Sequence, residues 1–449
     1  MTLSYYPMHK HIISQFHSIC GQHAGLMESQ IVMQANAPLN RNVTLCTSMM
    51  PNYHKALFGD HTEISYHLSG YGVNREESLV RLLGEGIERY GLFTSFLYFE
   101  DKIEYFSYNK LSDIHPEKVI PWEYIHIYHK EDYDVLASGT HLENITKDDV
   151  IGWILCPSIF NSEKSYYIPA QMMFIGYRAN KTKNEKWFTP GFSKGTAAHS
   201  NIKKAFIGAL GEIIEADALM IKWYSDIEAY EVVIDDYDLD QLIKTALEGI
   251  NYDLVIYDFT TVEDAGYVFG VALINRENDT PYIVMGCSSG YDPLKAIYRG
   301  VMEAVAILYL AINGAVVMPK DYLEAVHERE HTNLDSNVAY WASLEDKEMK
   351  RDYLLNIIKG KKPVSSYVNK IEEENKDELE EYIKTVSEIS QYGVYMDITP
   401  IEVKDKGFNV MRVFIPELIQ MSFPGVPYSK HPRALEYGGI KNELPHPLP

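Results

Sequence analysis

The chain has 449 residues, 46% hydrophobic and 23% charged, a globular balance too long for one small core, which predicts two or three lobes. Its 41 Lys and Arg stand against 63 Asp and Glu, a formal charge of −22. So acidic a surface argues against a dedicated nucleic-acid binder, which needs basic groups against phosphate, but leaves room for a nucleotide bridged to carboxylates by Mg2+.

The four cysteines (Cys20, Cys46, Cys156, Cys287) form no CxxC, so they read as reduced thiols of a cytosolic protein rather than a zinc ribbon. The first residues, MTLSYYPMHKHIISQFH, are too polar for a secretory signal. In residues 1–60, HKHIISQFHSICGQ reads as a short helix, and IVMQA and VTLCTSM as strands.

The first long helix opens at NREESLVRLLGEGIERYG, with Asn74 as N-cap and acidic residues in the first turn. Leu79, Leu83, Ile87 and Tyr90 recur at helical period, and Arg81, Glu85, Glu88 and Leu92 lie on the neighbouring face. Residues 101–190 alternate short strands and turns, YYIPAQMMFIGYR (166–178) being the clearest strand. GFSKGTAAHSN then leads into a second helix at about 201–224, capped by Ser200 or Asn201.

Strands follow at 252–259, 267–275 and 282–287. After them SSGYDP, with Asp292 as cap and Pro293 at the first helical position, opens a third apolar helix. Its stretch 300–319 is long enough to test as a membrane span, but Glu303 and Asn313 mark it as a buried core helix. Three times, then, the chain writes small-residue loop, cap and helix with inward polar groups, a loose internal repeat. KIEEENKDELEEYIKTVSEISQ (370–391) reads as a solvated acidic helix, 394–400 and 408–417 as strands, and the Pro-rich end as neither.

The chemistry lies in two carboxylate pairs, Glu85 with Glu88 and Glu212 with Glu215. Each pair is spaced i, i+3, which sets both groups on one helix face, inside an otherwise apolar run. Buried carboxylates need neutralisation, and four from two alike helices point to an oxygen-only divalent site of the kind Mg2+ takes. No His follows either pair at di-iron spacing. Gly70 and Gly72 in SGYG, and Gly195 in SKGTAAH, place small residues ahead of helix N-termini, where backbone N–H groups favour phosphate. The chain has neither GxxxxGK[ST] nor a GxGxxG opening a βαβ unit. Arg89 follows the first pair directly, and Arg299 and Glu303 share one face of the third helix, placing arginines where they could clamp phosphoryl oxygens.

These stretches resemble the YcaO superfamily. SGYGVNREESLVRLLGEGIERYG is similar to its Gly-rich turn and first ExxE helix, and GFSKGTAAHSNIKKAFIGALGEIIEADAL to the second. SSGYDPLKAIYRGVMEAV is similar to the third motif, VMRVFIPELIQM with HPR to the late strand and turn, and PHPLP to the PxPxP ending of azoline-forming members. The likeness runs from about residue 60 to the end and is nearest the streptolysin-S-type thiazole/oxazole peptide maturases.

It implies an α/β (α+β) YcaO-like fold with mixed sheets and long ExxE helices. Residues 61–449 would be the catalytic domain, and residues 1–60 a partner-docking region. It implies an ATP-dependent cyclodehydratase with Mg2+ on Glu85, Glu88, Glu212 and Glu215, and with Arg89, Arg299, Glu303, Gly70, Gly72 and Gly195 at the nucleotide. The tail would reach the active site through Pro445, Pro447 and Pro449. A Cys, Ser or Thr of a precursor peptide would attack the preceding carbonyl, ATP would phosphorylate the oxyanion, and phosphate would leave. The implied partners are an E1-like leader-binding protein, a flavin-dependent azoline dehydrogenase and a second copy of the chain, in the cytoplasm, without nucleic acid or membrane. Arg81, Lys204, Ala216 and Ala306 depart from the family pattern. Two rivals stay open: a YcaO-like scaffold without turnover, and a thioamide- or amidine-forming enzyme.

Overall fold

The computed structural model describes residues 66–449 except 263–264, 318, 328–330 and 333, and before them 14–15, 18–21, 25–27, 32–34, 42–53 and 55. The expected docking region and the helix at HKHIISQFHSICGQ therefore lie largely outside the described residues. All four cysteines are free thiols, and all but Cys20 are buried.

Three strand–cap–helix units organise the molecule. In the first, β1 (Val32–Gln34), β2 (Thr44–Met50) and β3 (Tyr66–Gly72) form an antiparallel sheet, from which α1 (Arg75–Phe99) follows. Asn74 caps α1 by accepting the Glu77 N–H at 2.9 Å. Leu79, Leu82, Leu83 and Ile87 are buried along one stripe, the i, i+3, i+4 spacing of a helix lying on a core. Between the first and second units, β4 (Glu104–Ser107), β5 (Val150–Pro157) and β6 (Ser165–Pro169) make a small antiparallel sheet. The strand expected over 166–178 stops at Pro169, where Ala170–Met173 turns into one helical turn.

In the second unit β7 (Thr196–His199) leads to α2 (Ile202–Tyr224), whose cap is Asn201. The central sheet comes next: β8 (Ala229–Val233), β9 (Tyr252–Asp258), β10 (Tyr267–Asn275) and β11 (Ile283–Gly290), closed on its far edge by β12 (Ile358–Pro363), which runs parallel to β8. Strand β11 is buried throughout and continues through Ser288-Ser289-Gly290, which the sequence reads as a loop. It does so because β10 pairs with it up to Tyr267↔Gly290, and Ser289 Oγ donates to Gly211 O of α2 at 2.8 Å.

The third unit is β11 followed by α3 (Pro293–Val317), with Asp292 accepting the Lys295 N–H at 3.1 Å. Among the described residues α3 alone is long and apolar enough to cross a membrane, and 56% of its most apolar stretch is buried in the protein. After α4 (Leu334–Ala342), the acidic stretch at 370–391 breaks: a short turn at Lys370–Glu373 precedes α5 (Glu378–Ile389), which starts afresh on an Asp377 cap. Helix α5 is not fully solvated, since Tyr382, Thr385 and Val386 are buried and the Tyr382 ring meets that of Tyr291 at 4.6 Å.

Finally β13 (Val394–Asp397) and β14 (Asn409–Phe414) join β7 in a sheet ordered β13-β14-β7. Helix α2 packs on β7 and β14 on one side and on β11 on the other, so it forms the spine between two sheets. Its buried residues (Ala209, Leu210, Ile213, Ile214, Ala218) join the main core with β9–β11 and α3.

Candidate active site

Each unit fastens its helix to its strand with one glutamate. The Ser69 N–H donates to Glu85 Oε2 at 2.8 Å, Gly195 N–H to Glu212 Oε2 at 3.1 Å, and Cys287 N–H to Glu303 Oε2 at 2.7 Å. The three glutamates stand the same distance beyond their caps: 74 to 85, 201 to 212 and 292 to 303. The loose repeat of the sequence is thus a repeated clasp in space. One turn further on, the first two helices carry Glu88 and Glu215, and the third carries Ala306.

The clasps bring the carboxylates within electrostatic reach of one another. Burial raises the proton affinity of Glu85, against the pull of Arg89. Burial and the neighbouring Glu212 hold Glu88 well above the usual carboxylate range. Burial raises Glu212 in the same way, with Lys194 opposing, and pushes Glu303 up to about 7 with help from Glu215. Two cations stand among these groups. Arg89 lies 3.9 Å from Glu85, and Lys194 Nζ donates to Glu215 Oε1 at 2.5 Å. Lys194 remains protonated: burial pushes it down, but Glu215, Glu212 and Glu303 together raise it further.

The loop that carries Lys194 is clamped by a buried arginine that sequence reasoning missed. Arg412 of β14 is 2% exposed and donates to Lys194 O at 2.7 Å, Thr196 Oγ1 at 3.0 Å and Met172 O at 3.0 Å. Burial lowers its pKa to about 10, opposed by Glu212 and Glu88. Gly195 holds φ +88, and a Cβ there would lie 2.6 Å from Val413 O, so the turn admits no side chain. A cavity of about 30 Å3 beside Arg412 is lined by Phe192, Gln420, Tyr428 and His431 among others, and by none of the five glutamates.

Of the remaining residues expected at the site, Arg299 sits one turn before Glu303 and donates to Ser289 O at 2.7 Å, leaving its buried Nε–H without a partner. Gly70 and Gly72 serve close packing of β3 on α1: a Cβ at Gly70 would lie 2.0 Å from Ser78 O, and one at Gly72 would meet the Glu77 carboxylate. Arg81 is held by Glu77 at 2.8 Å and stacks over the Tyr71 ring. Ala216 is buried, and Lys204 is exposed in the first turn of α2.

The tail is packed. Pro445 and Pro447 are buried and Pro449 is exposed. Trp341 donates to Pro445 O at 2.8 Å, Trp223 to Leu444 O at 2.8 Å, and Asn337 to both His446 O and Leu448 O. This places the tail at the C-terminal end of α2, about 12 Å along the helix axis from Glu215 at 1.5 Å per residue. Between them, Asp217 accepts two hydrogen bonds from Arg433 Nε, at 2.6 and 2.8 Å, and one from Ile419 N–H. That buried ion pair explains the HPR turn.

A family model described as YcaO cyclodehydratase, ATP- and Mg2+-binding, matches residues 69–419, more than three quarters of the chain. The chain belongs to the YcaO family. Solved structures agree on the fold. A heterocyclase in complex with substrate and cofactor aligns at TM-score 0.70 and 17% identity over 98% of this chain, which spans only 57% of that longer protein. The YcaO of Methanopyrus kandleri, bound with AMPPCP and Mg2+, aligns at TM-score 0.59 and 15% identity, covering 93% of this chain and 90% of its own. The microcin synthetase McbBCD complex of E. coli contributes a chain at TM-score 0.62 and 14% identity, covering 95% and 99%. No curated protein matches by sequence. The mixed-sheet α/β architecture expected for a YcaO protein is the one observed.

The donor set fits the ligands in the family's description. The carboxylates supply only oxygen, as Mg2+ prefers, and burial raises the proton affinity of Glu85, Glu88 and Glu212, so a cation there would offset the loss of hydration. The unpartnered Arg299 Nε–H is a donor suited to an anion. Among the described residues, no three His, Cys, Asp or Glu side chains converge on one point as they stand.

Proposed function

We propose that this YcaO protein is an ATP-dependent cyclodehydratase that converts Cys, Ser or Thr of a ribosomally made precursor peptide into thiazoline or oxazoline. The observation that carries the reading is the repeated clasp, which sets three helices around five carboxylates, one buried and four partly buried, in a chain of this family. In this reading Glu85, Glu88, Glu212 and Glu215 hold Mg2+, which would screen charge on the nucleotide phosphates. Arg89 and Arg299 offer N–H donors to phosphoryl oxygens, and Glu303 fixes the strand end to which Arg299 is hydrogen-bonded.

The chemistry follows from a leaving-group problem. When a side-chain thiol or hydroxyl adds to the preceding carbonyl, the amide oxygen must depart, and alone it leaves badly. Transfer of the γ-phosphoryl group of ATP to that oxygen turns it into phosphate, which leaves as the C=N bond forms. The partly buried cations would stabilise charge as it develops on the transferring group, each donor counting for more than in open water.

The precursor would be presented by an E1-like leader-binding partner docking near residues 1–60, and a flavin-dependent dehydrogenase could oxidise the product. A homodimer and a cytoplasmic setting belong to the same reading. Pro445, Pro447 and Pro449 act in it through the ordered tail that backs α2. The test is to incubate the chain with ATP, precursor and partner, then measure phosphate release and peptide mass. The expected result is loss of one water per ring, with phosphate released in step. If ATP is consumed without a change in mass, or the mass changes without ATP, the reading fails. A mass change showing sulfur or amidine incorporation would assign another backbone modification.

A further inference from the structure

Lys194 is the cation hydrogen-bonded to the second carboxylate pair. Its side chain is 21% exposed and that of its partner Glu215 only 9%. The same ammonium acts electrostatically on Glu212, Glu303 and Glu88. Its backbone cannot swing away. Arg412 donates to its carbonyl at 2.7 Å, Val413 N–H donates to Gly195 O at 2.7 Å, and Gly195 turns the chain at positive φ. The reach into the carboxylates is therefore made by the flexible side chain from a fixed anchor.

The other two units offer no such group. The residue ahead of the clasping N–H is Leu68 in the first, fully buried, and Gly286 in the third, where a Cβ would lie 2.5 Å from Gly300 O. An ammonium drawn this far out of water loses hydration, and the carboxylates around it compensate. A divalent ion ligated by Glu215 would compete for the oxygen that Lys194 holds.

We propose that Lys194 is a resident counter-cation: it takes one of the positions the paired carboxylates create for a metal ion, so the site binds one fewer divalent ion and stays folded without metal. The inference rests on the reading of the pairs as a Mg2+–nucleotide site, and Lys194 acts in it as a positioning residue for Glu215.

The test counts Mn2+ bound per chain in the presence of AMPPCP, by electron paramagnetic resonance, on the full chain and on Lys194→Gln and Lys194→Arg. Thermal melting in EDTA and in Mg2+ is read alongside. Lys194→Gln is expected to bind one more Mn2+ than the native chain, to melt several degrees lower in EDTA and to recover in Mg2+. Lys194→Arg, which keeps the charge, should match the native count and show no such dependence. An unchanged count in Lys194→Gln, with the native chain binding Mn2+, overturns this inference alone. If Lys194→Gln does not fold with Mg2+ present, Lys194→Arg decides, because a gain of Mn2+ in that variant also overturns it. No Mn2+ on the native chain with AMPPCP would sink the nucleotide-site reading and this inference together.

Discussion

The first two strand–cap–helix units share a clasp with the third but not its charge pattern. Glu85 and Glu303 each take a strand N–H, and Glu212 takes that of Gly195 in the turn before β7, so each has a structural duty. Among the described residues Glu88 and Glu215 take no backbone N–H, and the third helix carries Ala306 in their place. There the charge moves one turn earlier, to Arg299, which donates back to its own strand. The fold needs the first glutamate of each helix. Glu215 is in addition held by Lys194, whereas Glu88 has no such clasp among the described residues, and an enclosed acid without folding work is a candidate for function.

That distinction can be broken by substitution. Glu88→Gln should lower phosphate release by about 10²–10³-fold, the scale of losing a main electrostatic group. It should leave the melting temperature unchanged or higher, because burial and Glu212 make its charge a burden in the metal-free protein. Full phosphate release in this variant would end the division between the two kinds of glutamate.

Asp217→Ala, two residues beyond Glu215, tests the opposite case of an acid with folding work alone. It leaves the buried Arg433 unpaired and should cost about 3–5 kcal/mol in urea unfolding. A loss under about 1 kcal/mol, the level of exposed pairs, would show that the pair is dispensable.

Glu303 sharpens the comparison through pH. Its proton affinity rises on folding from 4.5 to about 7, so between these values the folded chain binds more protons than the unfolded one. Stability of the metal-free protein should therefore fall as pH rises through that window, by up to about 3 kcal/mol. Glu303→Gln should flatten the slope, and an unchanged pH profile would count against the buried charge.

The smallest effect is expected from Arg81→Ser. This partly exposed i, i+4 pair with Glu77 is worth about 0.5 kcal/mol or less, and phosphate release should hold. A large loss of turnover would bring Arg81 into the nucleotide site.

Much of this arrangement is legible in the chain itself. Asn74, Asn201 and Asp292 cap where a polar residue precedes a helical period, and the ExxE spacing puts each pair on one face. What escapes is whatever depends on residues far apart. Lys194 lies in a small-residue loop with no periodicity to mark it, and its hold on Glu215 needs the clamp from Arg412, over two hundred residues later. Asp217 and Arg433 are equally distant. Pro169 ends a strand whose apolar pattern runs on, and the serines after Cys287 look like loop until β10 is laid beside them. A Pro-rich end reads as unstructured because its amides are few, yet its carbonyls suffice to bind Trp223, Trp341 and Asn337.

That last arrangement bears on how the protein is made. Three buried donors, on α2 and α4, take their acceptors from residues 444–448. Until that segment is in place those donors lack the acceptors they hold in the folded protein. The end of the spine away from the carboxylates is thus sealed by residues 444–448, the last of the chain's long-range contacts to become available during synthesis.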